Sequence, residues 1–246
     1  MAASAKDIVV KPISSKDANR VVKKIHYSGK VVNNSTLHFG VFLAGRLEGA
    51  MSFGSPINKK GTIRLVRDTQ WYGMLELNRM AFSDALPRNS ESRAMAVAFR
   101  LIKKHYPHIE WVVSFSDGTQ CGDGTIYRAA GFYLTDIRDS DALRINPFNG
   151  DVVHVIQAHH QMISKEFRSW AATEGYQLRY IYFINPAAKE RLTVPILPFS
   201  KIDEMGARMY KGKKLSVSSV DSGTPSDQLG GGGANPTDTL QEVRHD

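Results

Sequence analysis

Apolar and polar residues follow two rhythms along this chain, and the rhythm switches repeatedly. Asp7 to Ile13 (DIVVKPI) reads as a strand, and Ser14 or Ser15 then caps a helix with Val21, Val22 and Ile25 on its apolar side. Thr36 to Ala44 and Leu47 to Phe53 are β-rich runs flanking Gly45-Arg46, which predicts a hairpin. Met74 to Phe82 (MLELNRMAF) alternates as a half-buried strand. Ser90 opens a helix to about Tyr106, with Met95, Val97, Ala98, Leu101 and Ile102 at helical spacing and Pro107 as its stop. Ile109 to Ser116 is a strand, Thr125 to Ala130 a short helix, and Phe132 to Thr135 a strand. Beyond these, the pattern predicts a strand over Val152 to Ile156, a helix over Ala158 to Thr173, a strong strand over Leu178 to Ile184, and extended chain over Pro195 to Lys201.

Strands alternating with helices place the chain in the α/β or α+β class with a mixed sheet flanked by helices. From Ser216 the pattern stops. The stretch is Gly- and Ser-rich, with Gly230 to Gly233 and few large apolar residues, and reads as a disordered tail. The expected organisation is a domain over 1–215 and a tail over 216–246. No run of 18 apolar residues exists to span a membrane, and the first twenty residues lack the apolar core of a secretion signal. The single cysteine, Cys121, fits a reducing compartment and excludes a cysteine-built zinc site.

Charge sharpens the picture. The chain carries +8, but five acids (Asp221, Asp227, Asp238, Glu242, Asp246) against Arg244 give the tail −4, leaving +12 on the body. A body that basic points to a polyanion, because lysine and arginine release counterions condensed on phosphates. Three clusters suit DNA contact: Lys23, Lys24 and Lys30; Lys59, Lys60, Arg64 and Arg67, with Trp71 and Tyr72 nearby; and Lys211, Lys213 and Lys214.

The centre of the chain resembles the GNAT acetyltransferase pattern, in which a strand leads to a turn at a helix N-terminus whose amides cradle the pyrophosphate of coenzyme A. That family's Q/R-x-x-G-x-G/A turn aligns with Asn89, Ser92 and Ala94 of NSESRA, with serine and alanine where the glycines would be. The fuller arrangement resembles the Mom-type adenine-modification proteins of bacteriophages. The carrying segments are His26-Tyr27-Ser28, Leu75 to Met80, Pro87 to Arg93, Ser114 to Asp117 and Ile126 to Phe132. The resemblance implies a GNAT-like core and a phage-encoded transferase in the host cytoplasm. It further implies conversion of adenine in duplex DNA to N6-carbamoylmethyl (methylcarbamoyl) adenine, an anti-restriction modification, since nucleases read the adenine N6 in the major groove. The base would be flipped out of the stack.

It also implies a site. Arg79, Ser92, Asp117 and Tyr127 fall in the order and separation of the family's functional residues, and His26 and Tyr27 join them as further candidates. Asp117 would orient or deprotonate the amine, Tyr127 would serve the leaving group, and Arg79 with Ser92 would hold the donor. Strand alternation puts Arg79 on one face with Leu75 and Leu77, where it needs a partner or a phosphate. Asn89, Ser90, Ser92, Arg93 and Ala94 would hold acetyl-CoA or another activated donor, with Ser90 as the helix cap. His26, Tyr27 and Asp117 could form an O/N site for iron, though His26 also suits a cation at a helix C-terminus. Adjacent His159 and His160 point too far apart on a helix to share a metal, and nothing basic adjoins Cys121 to activate it.

Two other readings stay open: an ordinary GNAT acyltransferase acting on a protein or small amine, and a non-enzymatic basic DNA-binding protein with a degenerate GNAT fold. Oligomeric state is open, a homodimer among the options.

Overall fold

The computed structural model describes residues 3–26, 28–117, 124–139, 143–155, 158, 162–173, 175–207, 209–210 and 213–214. Its strands are β1 (Val9–Pro12), β2 (Ser35–Leu43), β3 (Arg46–Gly54), β4 (Met74–Phe82), β5 (Trp111–Asp117), β6 (Tyr133–Asp139), β7 (Leu143–Ile145), β8 (Val152–His154), β9 (Tyr176–Phe183), β10 (Met209–Tyr210) and β11 (Lys213–Lys214). Seven of them form one mixed sheet in the order β1-β2-β3-β4-β5-β9-β6, with separate hairpins β7-β8 and β10-β11. The helices are α1 (Ser15–Ile25), α2 (Lys59–Thr62), α3 (Ser90–His105), α4 (Thr125–Ala129), α5 (Ser164–Ser169) and α6 (Ser200–Glu204). The mixed α/β class expected from the pattern is the one observed. The tail 216–246 lies outside the described residues.

Each face of the sheet is covered by a different helix. α3 buries Ala94, Met95, Ala98, Phe99 and Ile102 against Phe39, Met51, Phe53, Leu77 and Val112. α1 buries Ala18, Val21 and Val22 against Ala50 and Ala81 on the other face. Farther along that second face, the 3-10 turn Ile63–Leu65 and the 3-10 turn Pro186–Arg191 cover Met74, Trp111, Val113, Ile181 and Phe183. α1 starts where expected, because the Ser14 hydroxyl accepts the Asp17 N–H at 3.1 Å.

The structure corrects several details. The β2–β3 turn is Ala44-Gly45 and not Gly45-Arg46, since these two residues take positive φ (48° and 80°), as a tight two-residue hairpin requires. The basic segment at Lys59, Lys60, Arg64 and Arg67, expected as loop, holds α2 and the 3-10 turn Ile63–Leu65, and only Arg67 lies in the turn beyond. α3 is capped by Asn89 and not by Ser90. Asn89 takes φ 69° with no side-chain cap, while Ser90 is buried and donates its hydroxyl to the Pro87 carbonyl at 2.6 Å.

The long helix expected over Ala158 to Thr173 is not continuous: Ala158 is helical, Met162 takes positive φ, and the helix that follows is the short α5. Phe167 and Trp170 bury against Val153 and Ala158, and the chain after Trp170 becomes an extended partner of β7. There the Ile145 amide donates to the Ala171 carbonyl at 2.9 Å and the Thr173 amide to the Leu143 carbonyl at 3.2 Å. Tertiary pairing overrides the helical period. The stretch Pro195 to Lys201 is extended only as far as Leu197, which bridges Leu134; Ser200 then starts α6, anchored by the fully buried Ile202.

Candidate active site at the strand fork

Among the described residues, β4 and β5 are the sheet's parallel pair, and they pair only at Met74–Trp111, Leu75–Val112 and Glu76–Val113. Both strands continue past that point with other partners. β4 stays with β3 to Phe82, and β5 stays with β9 to Asp117. A bulge helps to part them. Ser52 faces Arg79 and Phe53 faces Leu77, so Asn78 is an extra residue on β4, which bends and twists the strand.

The bulge also inverts the alternation read from the sequence. Leu75 and Leu77 before it, and Met80 and Phe82 after it, share the α3 face, while Ala81 packs on α1. Arg79 is therefore not on the leucine face. It joins Glu76 and Ala81 on the α1 face, where its positive charge acts on both Glu76 and His26. Its Nε donates to the Lys30 carbonyl at 2.9 Å and an Nη to the Asn78 carbonyl at 2.7 Å.

Strand register assembles a polar patch around this guanidinium. His38, Ser52 and Arg79 form one row across β2, β3 and β4, and Ser35, Gly54 and Glu76 form the next. His38 Nδ1 and the Ser52 hydroxyl are 2.9 Å apart, and the Ser35 hydroxyl donates to Asn78 Oδ1 at 3.0 Å. Gly54 permits the close passage of the chain: a Cβ there would strike the Asn34 carbonyl oxygen.

His26 ends α1 and faces the same patch. Its Nδ1 accepts the Ser28 amide N–H at 3.2 Å and lies 2.8 Å from the Ser28 hydroxyl. Burial first, and the Arg79 charge second, push its pKa down to about 4. The ring is thus a neutral Nδ1 acceptor and not a helix-terminal cation. Burial likewise lowers His38, and it raises Glu76 against the opposing pull of Asn78 and Arg79. The cluster therefore joins a fixed cation, two neutral imidazoles and a carboxyl that holds its proton more readily than usual.

A pH dependence follows. Because His26 titrates lower in the fold than its ordinary 6.5, its contribution is full above pH 6.5 and is lost as pH falls from 6.5 towards 4. The loss is at most about 3.5 kcal/mol, since each tenfold drop in proton affinity on folding is worth roughly 1.4 kcal/mol. Urea unfolding of wild type and His26→Asn across that window should show a steeper acid decline in wild type; parallel curves would remove His26 as the cause.

On the α3 face the fork is closed by hydroxyls. Beyond the last paired residues, Ser114 Oγ lies 3.5 Å from the Leu77 carbonyl and 3.0 Å from the Tyr127 hydroxyl. Tyr127 is buried, stacked on Tyr180 with centroids 4.2 Å apart and edge-on to Phe132. Gly124 starts α4 at φ 71°, directly beneath Tyr180, where any Cβ would collide with the phenol oxygen. Ser116 Oγ, on the same face of β5, is buried with no hydrogen-bond partner among the described residues.

The structure thus brings Arg79 and His26 together on one side of the fork and sets Tyr127 at its throat on the other. Ser92 sits in the first turn of α3, its hydroxyl donating to the Asn89 carbonyl at 3.2 Å. Of the expected donor-binding set, Ser90 and Ala94 are fully buried and face the core, so their side chains are out of a donor's reach; Asn89, Ser92 and Arg93 remain at the helix start. Asp117 ends β5, paired with Gln177. Its side chain lies outside the described residues, as do Tyr27, Cys121, His159, His160, Lys211 and the side chains of Lys213 and Lys214. For the expected iron site of His26, Tyr27 and Asp117, that leaves only His26 described. Among the described residues no three His, Cys, Asp or Glu side chains converge to hold a metal, and none of the helices is long and apolar enough to cross a membrane.

Basic side chains bracket the patch along β4. Lys16, Arg20, Lys23 and Lys24 rim a shallow depression on the outer side of α1, and Lys60, Arg64 and Arg67 are exposed on and after α2.

Comparison with known proteins decides the family. The model of the Mom protein family matches residues 7–201. The methylcarbamoylase Mom of Escherichia phage Mu is 35% identical over 201 residues, covering 78% of this chain and 82% of that protein. The chain belongs to the Mom protein family. Solved structures similar to this Mom-family chain include spermidine/spermine N-acetyltransferase from Vibrio cholerae (TM-score 0.44, 10% identity, 76% of this chain and 99% of that one). An IAA acetyltransferase from Bacillus cereus is another (TM-score 0.42, 10% identity, 72% and 99%). A third is a GNAT family acetyltransferase from Elizabethkingia anophelis with acetyl-CoA bound (TM-score 0.39, 14% identity, 70% and 97%).

The sequence assigned no site role to His38, Ser52, Glu76, Asn78, Ser114 or Ser116, although the last four lie in segments that carry the resemblance. Each looks like an ordinary polar position within a strand. The one available signal was Asn78, a poor strand former in the middle of MLELNRMAF, where a bulge was the reading to test.

Proposed function

We propose that this chain is a DNA-modifying transferase that places a carbamoylmethyl group on the N6 of adenine, and that the modification protects phage DNA from restriction. The observation that carries the reading is the Arg79–His26–Glu76 cluster at a fork between two strands of a Mom-family chain, bracketed by basic surfaces suited to DNA.

The helix start at Asn89 fits a donor's anionic handle, because α3 has no side-chain cap competing for its first amides. Ser116 Oγ adds a buried hydroxyl with bonding capacity to spare at the fork. An activated donor bound there would supply the electrophilic carbon. Acyl transfer alone leaves a carbonyl on N6, whereas the product carries a methylene. The step that balances is displacement: the N6 lone pair bonds the methylene, the leaving group departs with its electron pair, and N6 loses one proton. Asp117 or Glu76 accepts that proton, the Tyr127 hydroxyl, ordered by Ser114, donates to the departing group, and Arg79 steadies the developing negative charge.

The test is mass spectrometry of nucleosides from plasmid DNA co-expressed with the wild type and with Asp117→Ala and Tyr127→Phe. The expected result is a carbamoylmethyl-deoxyadenosine that falls sharply in both variants. Full modification in both would overturn these roles, and unmodified adenine with a soluble, folded wild type would overturn the activity itself.

A further inference from the structure

Seven residues before Arg79 the chain displays two aromatic rings that the proposed chemistry does not use. Trp71 is 47% and Tyr72 71% exposed. Lys59 Nζ, on α2, sits 4.5 Å from the Trp71 ring centroid and 4.7 Å from that of Tyr72. Large apolar side chains clustered at the surface mark a contact site more often than chance exposure.

The exposure is built and not slack. The turn bearing the rings is tied from both sides. The buried Trp111 indole donates to Thr69 Oγ1 at 2.9 Å, and Thr69 donates on to the Val66 carbonyl at 2.7 Å. Arg67 and Arg191 exchange bonds, the Arg67 amide to the Arg191 carbonyl at 2.9 Å and an Arg191 Nη to the Arg67 carbonyl at 2.6 Å. The Gly73 amide closes the turn onto the Gln70 carbonyl at 2.7 Å, and the Glu110 amide donates to the Gly73 carbonyl at 2.8 Å. Asp68 holds φ 58°, a left-handed conformation that costs a non-glycine residue and persists only where its surroundings enforce it. Trp71 and Tyr72 line a surface groove together with Gln70, Pro107, His108 and Asn185.

We propose that Lys59, Trp71 and Tyr72 form a second DNA contact, in which an unpaired base stacks on the rings while the neighbouring phosphate meets the Lys59 and Lys60 ammoniums. Charge selects this occupant. Lys60, Arg64 and Arg67 are exposed on and just after the helix that carries Lys59, and of the two carboxylates lining the groove, Glu110 is neutralised by Arg191 at 2.5 Å, leaving Asp68. Rings accept any base face, and an adjacent ammonium takes the phosphate, so the combination binds a strand without reading sequence. Burial already lowers the Lys59 pKa, the cost of holding that ammonium against the rings. At roughly 3.3 Å per residue, β4 carries the platform about 20 Å from Arg79, close enough for one DNA molecule to touch both. The identity of the partner rests on the DNA-modification reading; the platform itself does not.

The experiment is fluorescence anisotropy with a labelled oligodeoxynucleotide, single-stranded and as a duplex with one unpaired adenine, using the full chain. Trp71→Ala/Tyr72→Ala should weaken both by about ten- to a hundredfold, and Trp71→Phe/Tyr72→Phe should restore most of it. Lys59→Met should flatten the salt dependence by about one phosphate contact. Equal affinity in wild type and the alanine variant would overturn the proposal, as would loss of a co-purifying protein with DNA binding unchanged. If wild type leaves plasmid adenine unmodified while the alanine variant still loses binding, the chemistry fails and the platform stands. If wild type modifies adenine and the alanine variant binds normally, the platform fails and the chemistry stands.

Discussion

Replacing Arg79 with alanine should cut adenine modification about a hundred- to a thousandfold, the usual cost of removing one preorganised donor from a site where negative charge develops. The guanidinium is positioned before any substrate arrives, because the Lys30 and Asn78 carbonyls fix its orientation. Arg79→Lys keeps the charge but not the planar fork, so it should recover only part of the activity. Alanine also removes the bonds to the Lys30 and Asn78 carbonyls, each worth about 1 kcal/mol. The plasmid nucleoside measurement should therefore be paired with a melting curve. A folded Arg79→Ala protein with wild-type modification would remove Arg79 from the mechanism. A variant that fails to fold would shift the comparison to Arg79→Lys.

Trp111→Ala should destabilise the chain by about 3–5 kcal/mol, the range for emptying a large aromatic from a core. Its side chain is fully buried among Leu65, Val66, Met74 and Ile181, at the point where β4 and β5 still pair. Against a total stability of roughly 5–15 kcal/mol for such a domain, that is a large fraction. Trp111→Phe keeps most of the volume and loses mainly the bond to Thr69, which should cost about 1 kcal/mol. Urea denaturation of the three proteins measures both values. A Trp111→Ala midpoint within error of wild type would show that the pairing end of the fork is not a rigid base. Because Thr69 also anchors the turn bearing Trp71 and Tyr72, Trp111→Phe should loosen that turn with little effect at Arg79.

Period and punctuation in the sequence located nearly every element of the main sheet. β4 runs from Met74 to Phe82 as the alternation implies, and α3 runs from Ser90 to His105, ending before the Pro107 stop. These signals are local, and local steric preferences read directly from residue order. The failures share a different cause. The helical pattern over Ala158 to Thr173 is broken because Phe167 and Trp170 find a cluster under the β7–β8 hairpin and the following residues find a strand partner. A period shows which side of an element is apolar and is silent about which neighbour will bury it.

The site shows the same division. The sequence by itself determined the family, the basic body and the residues around which a site could form, among them Arg79, His26, Tyr127 and the helix start at Asn89. Tertiary structure alone decided which of these meet. One extra residue at Asn78 turns Arg79 from the leucine face to the face of Glu76 and His26. Strand register adds His38 and Ser52 to its row, and burial keeps both imidazoles neutral. Side-chain direction reverses with every residue of a strand, so a single bulge moves all that follows to the opposite face. Such an insertion is set by pairing with a neighbouring strand, and that information is absent from the order of residues along one strand.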